Sequence, residues 1–331
     1  MSGTNGRGMA RTLLAQPFTR ALLALLIIVF LGMIFNADGA FFDWGTHRDM
    51  LRQVSVYGIL ACGMTVVIIT GGIDLAVGSV LGLMAVMFSI FSIRLGIPPV
   101  FAVLLTLLLG ALCGAASGTL VARFRMQPFI ATLAMMVFAR GMAKYVSEGK
   151  KIPNFVVGPD GSYSEAVPFF GHLDTRILGG NLAVVTVIFL VCVGLSWLVL
   201  ARLRPGRYLY AIGGNEEAAR LSGVPVGWVK VLAYGMSGFF AAVAGICQAA
   251  QETQGDPEAG ATYELTAIAI VVIGGTNLMG GRGSILLTLL GTLTIGYLEK
   301  ILSINAVSEA GRLMLTGGII VAAVLLQRSR K

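Results

Sequence analysis

Leu182-Ala183-Val184-Val185-Thr186-Val187-Ile188-Phe189-Leu190-Val191-Cys192-Val193-Gly194-Leu195-Ser196-Trp197-Leu198-Val199-Leu200 runs without a single charge, and Arg202, Arg204 and Arg207 follow at once. An α-helix needs about 20 apolar residues to cross roughly 30 Å of hydrocarbon. A cationic cluster just beyond such a run marks the cytoplasmic side, where Lys and Arg are retained. Working outward, the same kind of run recurs at approximately 20–36, 51–70, 73–93, 98–121, 128–146, 178–200, 230–250, 264–280, 284–304 and 311–326. Only 12% of the 331 residues are charged, against about 25% in soluble domains. The expectation is an all-α, polytopic membrane helix bundle of about ten transmembrane helices, in one membrane domain over 1–331.

An even number of spans puts both termini on one side. Placing them in the cytoplasm leaves 14 of the 24 Lys and Arg residues inside, with three of the 16 acids. The loops around Arg123 and around Arg202 to Arg207 decide this orientation, since the opposite one would translocate both. The net charge of +8 then reflects retained cations rather than nucleic-acid binding. A short cytoplasmic tail, 1–19, precedes the first span. Arg11 and Arg20 before the run from Ala21 to Phe35 also fit a signal peptide, but the charge pattern favours an uncleaved first helix.

The four cysteines, Cys62, Cys113, Cys192 and Cys247, fall inside apolar runs without metal-ligand spacing, and read as small buried hydrophobes. No cofactor or metal is expected. There is no G-x4-G-K-[ST] phosphate loop, so any ATP-driven activity needs a separate ATPase. No nucleophile, base and acid set is evident either, and an enzyme is not expected.

Two segments echo one another. Ile69-Thr70-Gly71-Gly72-Ile73-Asp74-Leu75-Ala76-Val77-Gly78-Ser79 is matched by Ile273-Gly274-Gly275-Thr276-Asn277-Leu278-Met279-Gly280-Gly281-Arg282-Gly283-Ser284, which suggests two pseudo-repeated halves. Glycine-interrupted apolar segments at matching places point to a gate or solute path, because backbone unwinds in a membrane only where it lines a cavity or protein. The alternative is a tight turn at the cytoplasmic membrane surface. A carboxylate at mid-span costs about 2.5–3.5 kcal/mol on insertion scales. Asp74 is therefore either a path residue or the N-cap of a helix beginning at Leu75, with Asn277 in the matching slot. Arg140 and Glu264 are placed at the outer mouth, as solute contacts or as snorkelling ends. The stretch Ser147 to Arg176 reads as an exposed outer loop.

The inner loop, 201–229, has helical character. Asn215 is suited to an N-cap, Glu216 and Glu217 complement the helix dipole, and Gly223 with Pro225 ends the helix. Its Glu217-Ala218-Ala219-x3-Gly223 spacing resembles the coupling loop of ATP-binding-cassette importer permeases, though the apolar-Leu-Pro ending of the longer motif is missing. Further motifs carry the likeness. They are Gly71 to Ser79, Pro128-Phe129-Ile130-Ala131-Thr132-Leu133 with Arg140-Gly141, Tyr210-Ala211-Ile212-Gly213-Gly214-Asn215, Ser237-Gly238 with Ala244-Gly245, and Tyr263-Glu264-Leu265 leading to Gly274-Gly275-Thr276. Together, from about residue 50 to 325, they resemble the permeases of monosaccharide importers of the ribose, xylose and arabinose type. One departure is Thr266, where the family often has Asp.

The resemblance implies a permease pair, an ATPase subunit below, a solute-binding protein outside, and alternating access in a bacterial cytoplasmic membrane. It implies ATPase coupling through Asn215, Glu216, Glu217, Ala218, Ala219, Arg220 and Gly223. It implies a path or gate formed by Thr70, Gly71, Gly72, Asp74, Phe129, Thr132, Glu264, Gly274, Gly275, Thr276 and Asn277. The rival reading is an ion-coupled secondary transporter with Asp74 as the coupling carboxylate.

Overall fold

The computed structural model describes residues 16–157 and 162–328. Most of the expected tail 1–19 lies outside the described residues; its last three residues already belong to the first helix. Among the described residues eight helical stretches are long and apolar enough to cross a membrane. They are α1 (Pro17–Ile34), α2 (Trp44–Ile69), α3 (Val77–Ser89, continued by a π-helical turn to Arg94), α4 (Pro99–Arg123), α5 (Pro128–Ser147), α7 (Val184–Arg202), α10 (Val226–Glu252) and α12 (Ile285–Ile304). The intervening helices are α6 (Phe169–Asp174), α8 (Arg204–Gly214), α9 (Glu216–Leu221) and α11 (Tyr263–Gly274), with α13 (Glu309–Arg328) last. Six short strands pair as three small antiparallel sheets, all at the end opposite α9.

Helices enclose their own backbone hydrogen bonds, the condition for standing in hydrocarbon. Proline at the first turn of α1, α4 and α5 fixes where each begins, since the ring pre-sets φ and its missing N–H would be unpaired there anyway. The helices sort by depth. α2 and α3 are largely buried, whereas α1 and α4 present Ile27, Phe30, Phe101, Leu104 and Leu108 outward, as lipid-facing helices do.

α10 is the central helix, packing on α2, α3 and α4. It meets α4 through small residues. A Cβ on Gly114 would overlap the Tyr234 carbonyl oxygen, and one on Gly238 would overlap the Gly110 carbonyl oxygen. Gly110, Gly114 and Gly118 recur every fourth residue. That spacing lets membrane helices approach closely and gain dispersion contacts where no hydrophobic driving force exists.

Three expectations are corrected. The apolar stretch 264–280 is not a continuous helix. α11 has 12 residues, about 18 Å at 1.5 Å per residue, too short to span alone. The segment before it, 253–262, folds back into the bundle: the Ala259 carbonyl lies against Gly82, and Gly260 against Gly78. The helix after Asp74 begins at Val77, not Leu75. The stretch Ser147 to Arg176 is more than an exposed loop. Ile152, Asn154 and Phe170 are buried, and Phe170 stacks on Phe88 of α3 with ring centroids 5.0 Å apart.

Candidate functional site: a glycine junction, two irregular turns and an end-on helix

α9 forms as its sequence dictates. The Asn215 side chain accepts a hydrogen bond from the Ala218 amide at 3.0 Å, satisfying one of the orphan N–H groups of the first turn. Glu216 and Glu217 occupy that turn and Arg220 the last. Glu216 pairs with Arg220 at 3.1 Å and with Lys230 of α10 at 2.7 Å. Gly223, at φ +82°, turns the chain back. Ala219 is buried against the bundle, while Glu217 and Leu221 face outward.

Beside α9 lies an open groove of about 1150 Å³ between the end of α4, the following loop and the start of α10. Arg123, Arg125, Glu217, Arg220 and Lys230 line it, and so does Trp228, which is 78% exposed. This end of the bundle therefore offers exposed apolar side chains among charges of both signs.

The two echoing segments form the same local turn. The Asp74 Oδ1 accepts from the Ala76 amide at 3.0 Å, and the Asn277 Oδ1 accepts from the Met279 amide at 3.1 Å. Each side chain thus closes a turn two residues ahead. Neither caps a helix: the position before Val77 is Ala76, without a side-chain cap. Asp74 is buried, faces the Ser237 hydroxyl and lies near Tyr234. Ser237 is eleven residues into the 27-residue α10, about 17 Å along its axis. The Asp74 turn is therefore deep in the bundle, not at its surface. Thr132, fully buried on α5, bonds chiefly to the Pro128 carbonyl at 2.9 Å and reaches the Ile73 carbonyl at 3.4 Å.

The sequence-selected residues do not all gather. Thr70, Gly71, Gly72, Asp74 and Thr132 form one neighbourhood with Tyr234 and Ser237. Phe129 is 55% exposed on the outside of α5 and is no part of it. Gly274 packs on the Leu287 carbonyl of α12, and Gly275, at φ +103°, ends α11 beside Pro17. Thr276 is buried against Gly283. Glu264 lies at the far end of α11, its carboxylate against Gly78. Arg140 donates to the Pro257 and Ala259 carbonyls, the latter at 2.8 Å, and pins the folded-back segment from α5.

What bridges the two turns is, apart from Gly71, a set of residues that was not selected. The Gly281 amide donates to the Ile69 carbonyl at 2.9 Å. Gly280 lies against Gly71, and Gly213, at the end of α8, is wedged against both Ile69 and Gly281. Tyr210 Oη donates to the Gly283 carbonyl at 2.9 Å. Burial pushes the Tyr210 phenol above its ordinary pKa, so it keeps this proton across the neutral range. The visible signal was the density of glycines in these stretches; their convergence is a tertiary fact.

A family model described as the permease component of a branched-chain amino acid transport system matches residues 48–324. The ribose import permease protein of Haemophilus influenzae is 39% identical, with 92% of this chain and 91% of its own covered. That of Bacillus subtilis is 39% identical over 93% and 92%. The xylose transport system permease protein of Escherichia coli is 31% identical over 94% and 91%. No solved structure matches. A polytopic helix bundle, end-on helix and matched irregular turns thus accompany a match along most of its length, and the chain belongs to the family of branched-chain amino acid transport system permease components.

Proposed function

We propose that this chain is the membrane subunit of an ATP-driven importer of a monosaccharide, working as a pair of permeases. The observation that carries this is α9. It is a capped helix at the end of the bundle, with Glu217 and Leu221 outward and a large mixed-charge groove beside it. A surface of this kind fits an ATPase subunit that the chain itself lacks. Relatives named for ribose import, fructose import and xylose transport support the substrate class.

In this reading the α9 end is cytoplasmic, together with both termini, as the Arg202, Arg204 and Arg207 cluster favours. The opposite end, with its three small sheets, receives a solute-binding protein from outside. The mechanism is alternating access. ATP-driven closure of the ATPase displaces α9, and the displacement moves the turns around Asp74 and Asn277 between solute-admitting and closed positions. The transporter needs only differential contacts in the two states for ATP to shift their populations.

The test is affinity purification of the tagged protein from its native membrane in mild detergent, with Gly223→Glu beside the wild type. Gly223 has a positive φ and open space where a Cβ would stand, so a side chain there strains the α9 exit and leaves the spans intact. The expected result is an ATPase that co-purifies with the wild type and is lost from the variant. A folded wild type that arrives alone, with uptake indifferent to ATP, contradicts the proposal.

A further inference from the structure

Between α8 and α9 stands a single extended residue, Asn215, at φ −158°. Any movement of α9 therefore reaches the last turn of α8, where Gly213 lies, through one residue. Gly213 is held backbone against backbone. A Cβ there would overlap both the Ile69 carbonyl oxygen, at the end of α2, and the Gly281 amide nitrogen, before α12. The same two groups are hydrogen-bonded to each other. A Cβ on Gly280 would meet the Gly71 nitrogen at 2.8 Å and the Gly213 Cα at 3.1 Å. Three chain segments thus cross with no side chain between them.

We infer that Gly213 is the positioning residue through which α9 moves both irregular turns at once. This rests on the importer reading above. Side chains between packed elements take up displacement by changing rotamer; contacting backbones do not, because protein interiors are close-packed and transmit strain. A shift of Gly213 therefore bears directly on Ile69, which leads into Gly71 and the Asp74 turn. It bears equally on Gly281, which adjoins Arg282, whose carbonyl accepts from the Asn277 amide at 2.9 Å, and leads into α12. Tyr210, one helical turn earlier on α8, ties the same helix to Gly283 and keeps the junction in register. An element that both ends bias is the physical requirement for coupling between distant sites.

The test uses the assembled importer in proteoliposomes: permease, ATPase and binding protein, with ribose, xylose or fructose, whichever stimulates the wild type. The readout is ATP hydrolysed per sugar moved, which a merely structural defect does not change in surviving complexes. Gly213→Ala is expected to keep its ATPase and raise this ratio about tenfold, within the usual range of coupling between sites. Gly214→Ala is the control, since a Cβ on Gly214 would meet nothing within 4 Å, and its ratio should stay at the wild-type value. An unchanged ratio in Gly213→Ala, or an equal rise in both variants, overturns the inference. Should Gly213→Ala fail to assemble, Tyr210→Phe decides. Loss of one hydrogen bond should raise the ratio roughly two- to tenfold, and no rise overturns the inference. A wild type in which no sugar stimulates hydrolysis sinks the importer reading itself and is recognisable as such.

Discussion

Replacing Asp74 separates two roles that one carboxylate combines. Asp74 closes its turn by accepting the Ala76 amide at 3.0 Å, in a site where the side chain is only 3% exposed. Asp74→Asn keeps an oxygen at the accepting position, as Asn277 does in the matching turn, and removes any cost of burying a charge. Asp74→Ala also removes the charge but leaves the Ala76 N–H without a partner in an apolar interior. The difference between the two variants therefore isolates the turn. An orphaned buried donor costs about 1–3 kcal/mol, so Asp74→Ala should be less stable than Asp74→Asn by that amount. Reversible unfolding in mixed micelles, with both variants in the same detergent, measures it. Equal stability of Asn and Ala would refute the turn-closing role. Stability of both variants equally far below the wild type would show that the charge, not the turn, is what the site requires.

Other perturbations follow from the same structure. Phe170→Ala removes a fully buried ring stacked on Phe88 and should cost about 3–5 kcal/mol, measured by the same unfolding assay; a cost near zero would mean that the 147–176 segment is not docked. Arg140→Ala strips both carbonyl contacts from the folded-back segment, so thiol labelling at an introduced Ala259→Cys should accelerate at least severalfold, and an unchanged rate counts against the clamp. Glu216→Gln weakens two half-exposed ion pairs and should change stability by less than about 1 kcal/mol, while ATPase recovery in the pull-down falls. Gly114→Leu forces a side chain into the Tyr234 carbonyl and should abolish a monodisperse peak in size-exclusion chromatography.

The spans were legible because a membrane allows few solutions. Long uncharged runs such as Leu182 to Leu200 must be helices, and Pro17, Pro99 and Pro128 mark where three of them start. α9 was equally legible: its cap, first-turn acids and terminal glycine are local chemistry that needs no neighbour. The break in 264–280 was not. An apolar run reads alike whether its helix is continuous or half-length, and the left-handed Gly275 that ends α11 could equally have been a local irregularity within a longer span. The role of Asp74 was half legible. Its preference for a turn is local, but its depth depends on Ser237, far along the chain. Phe129 illustrates a further limit. In a largely apolar helix, sequence identifies the helix more readily than the face, so a neighbour of Thr132 was assigned to the interior although it faces outward. Gly213 was invisible as a contact because the segments it joins are distant in sequence.

The central claim is tested most directly by uptake of labelled ribose, xylose and fructose into proteoliposomes holding the permease, its ATPase and its binding protein, with ATP either supplied to the ATPase face or withheld under an imposed proton gradient. The account predicts uptake of one of these sugars that requires ATP and the binding protein and ignores the gradient. Uptake by the permease alone, driven by the gradient without ATP, would contradict it.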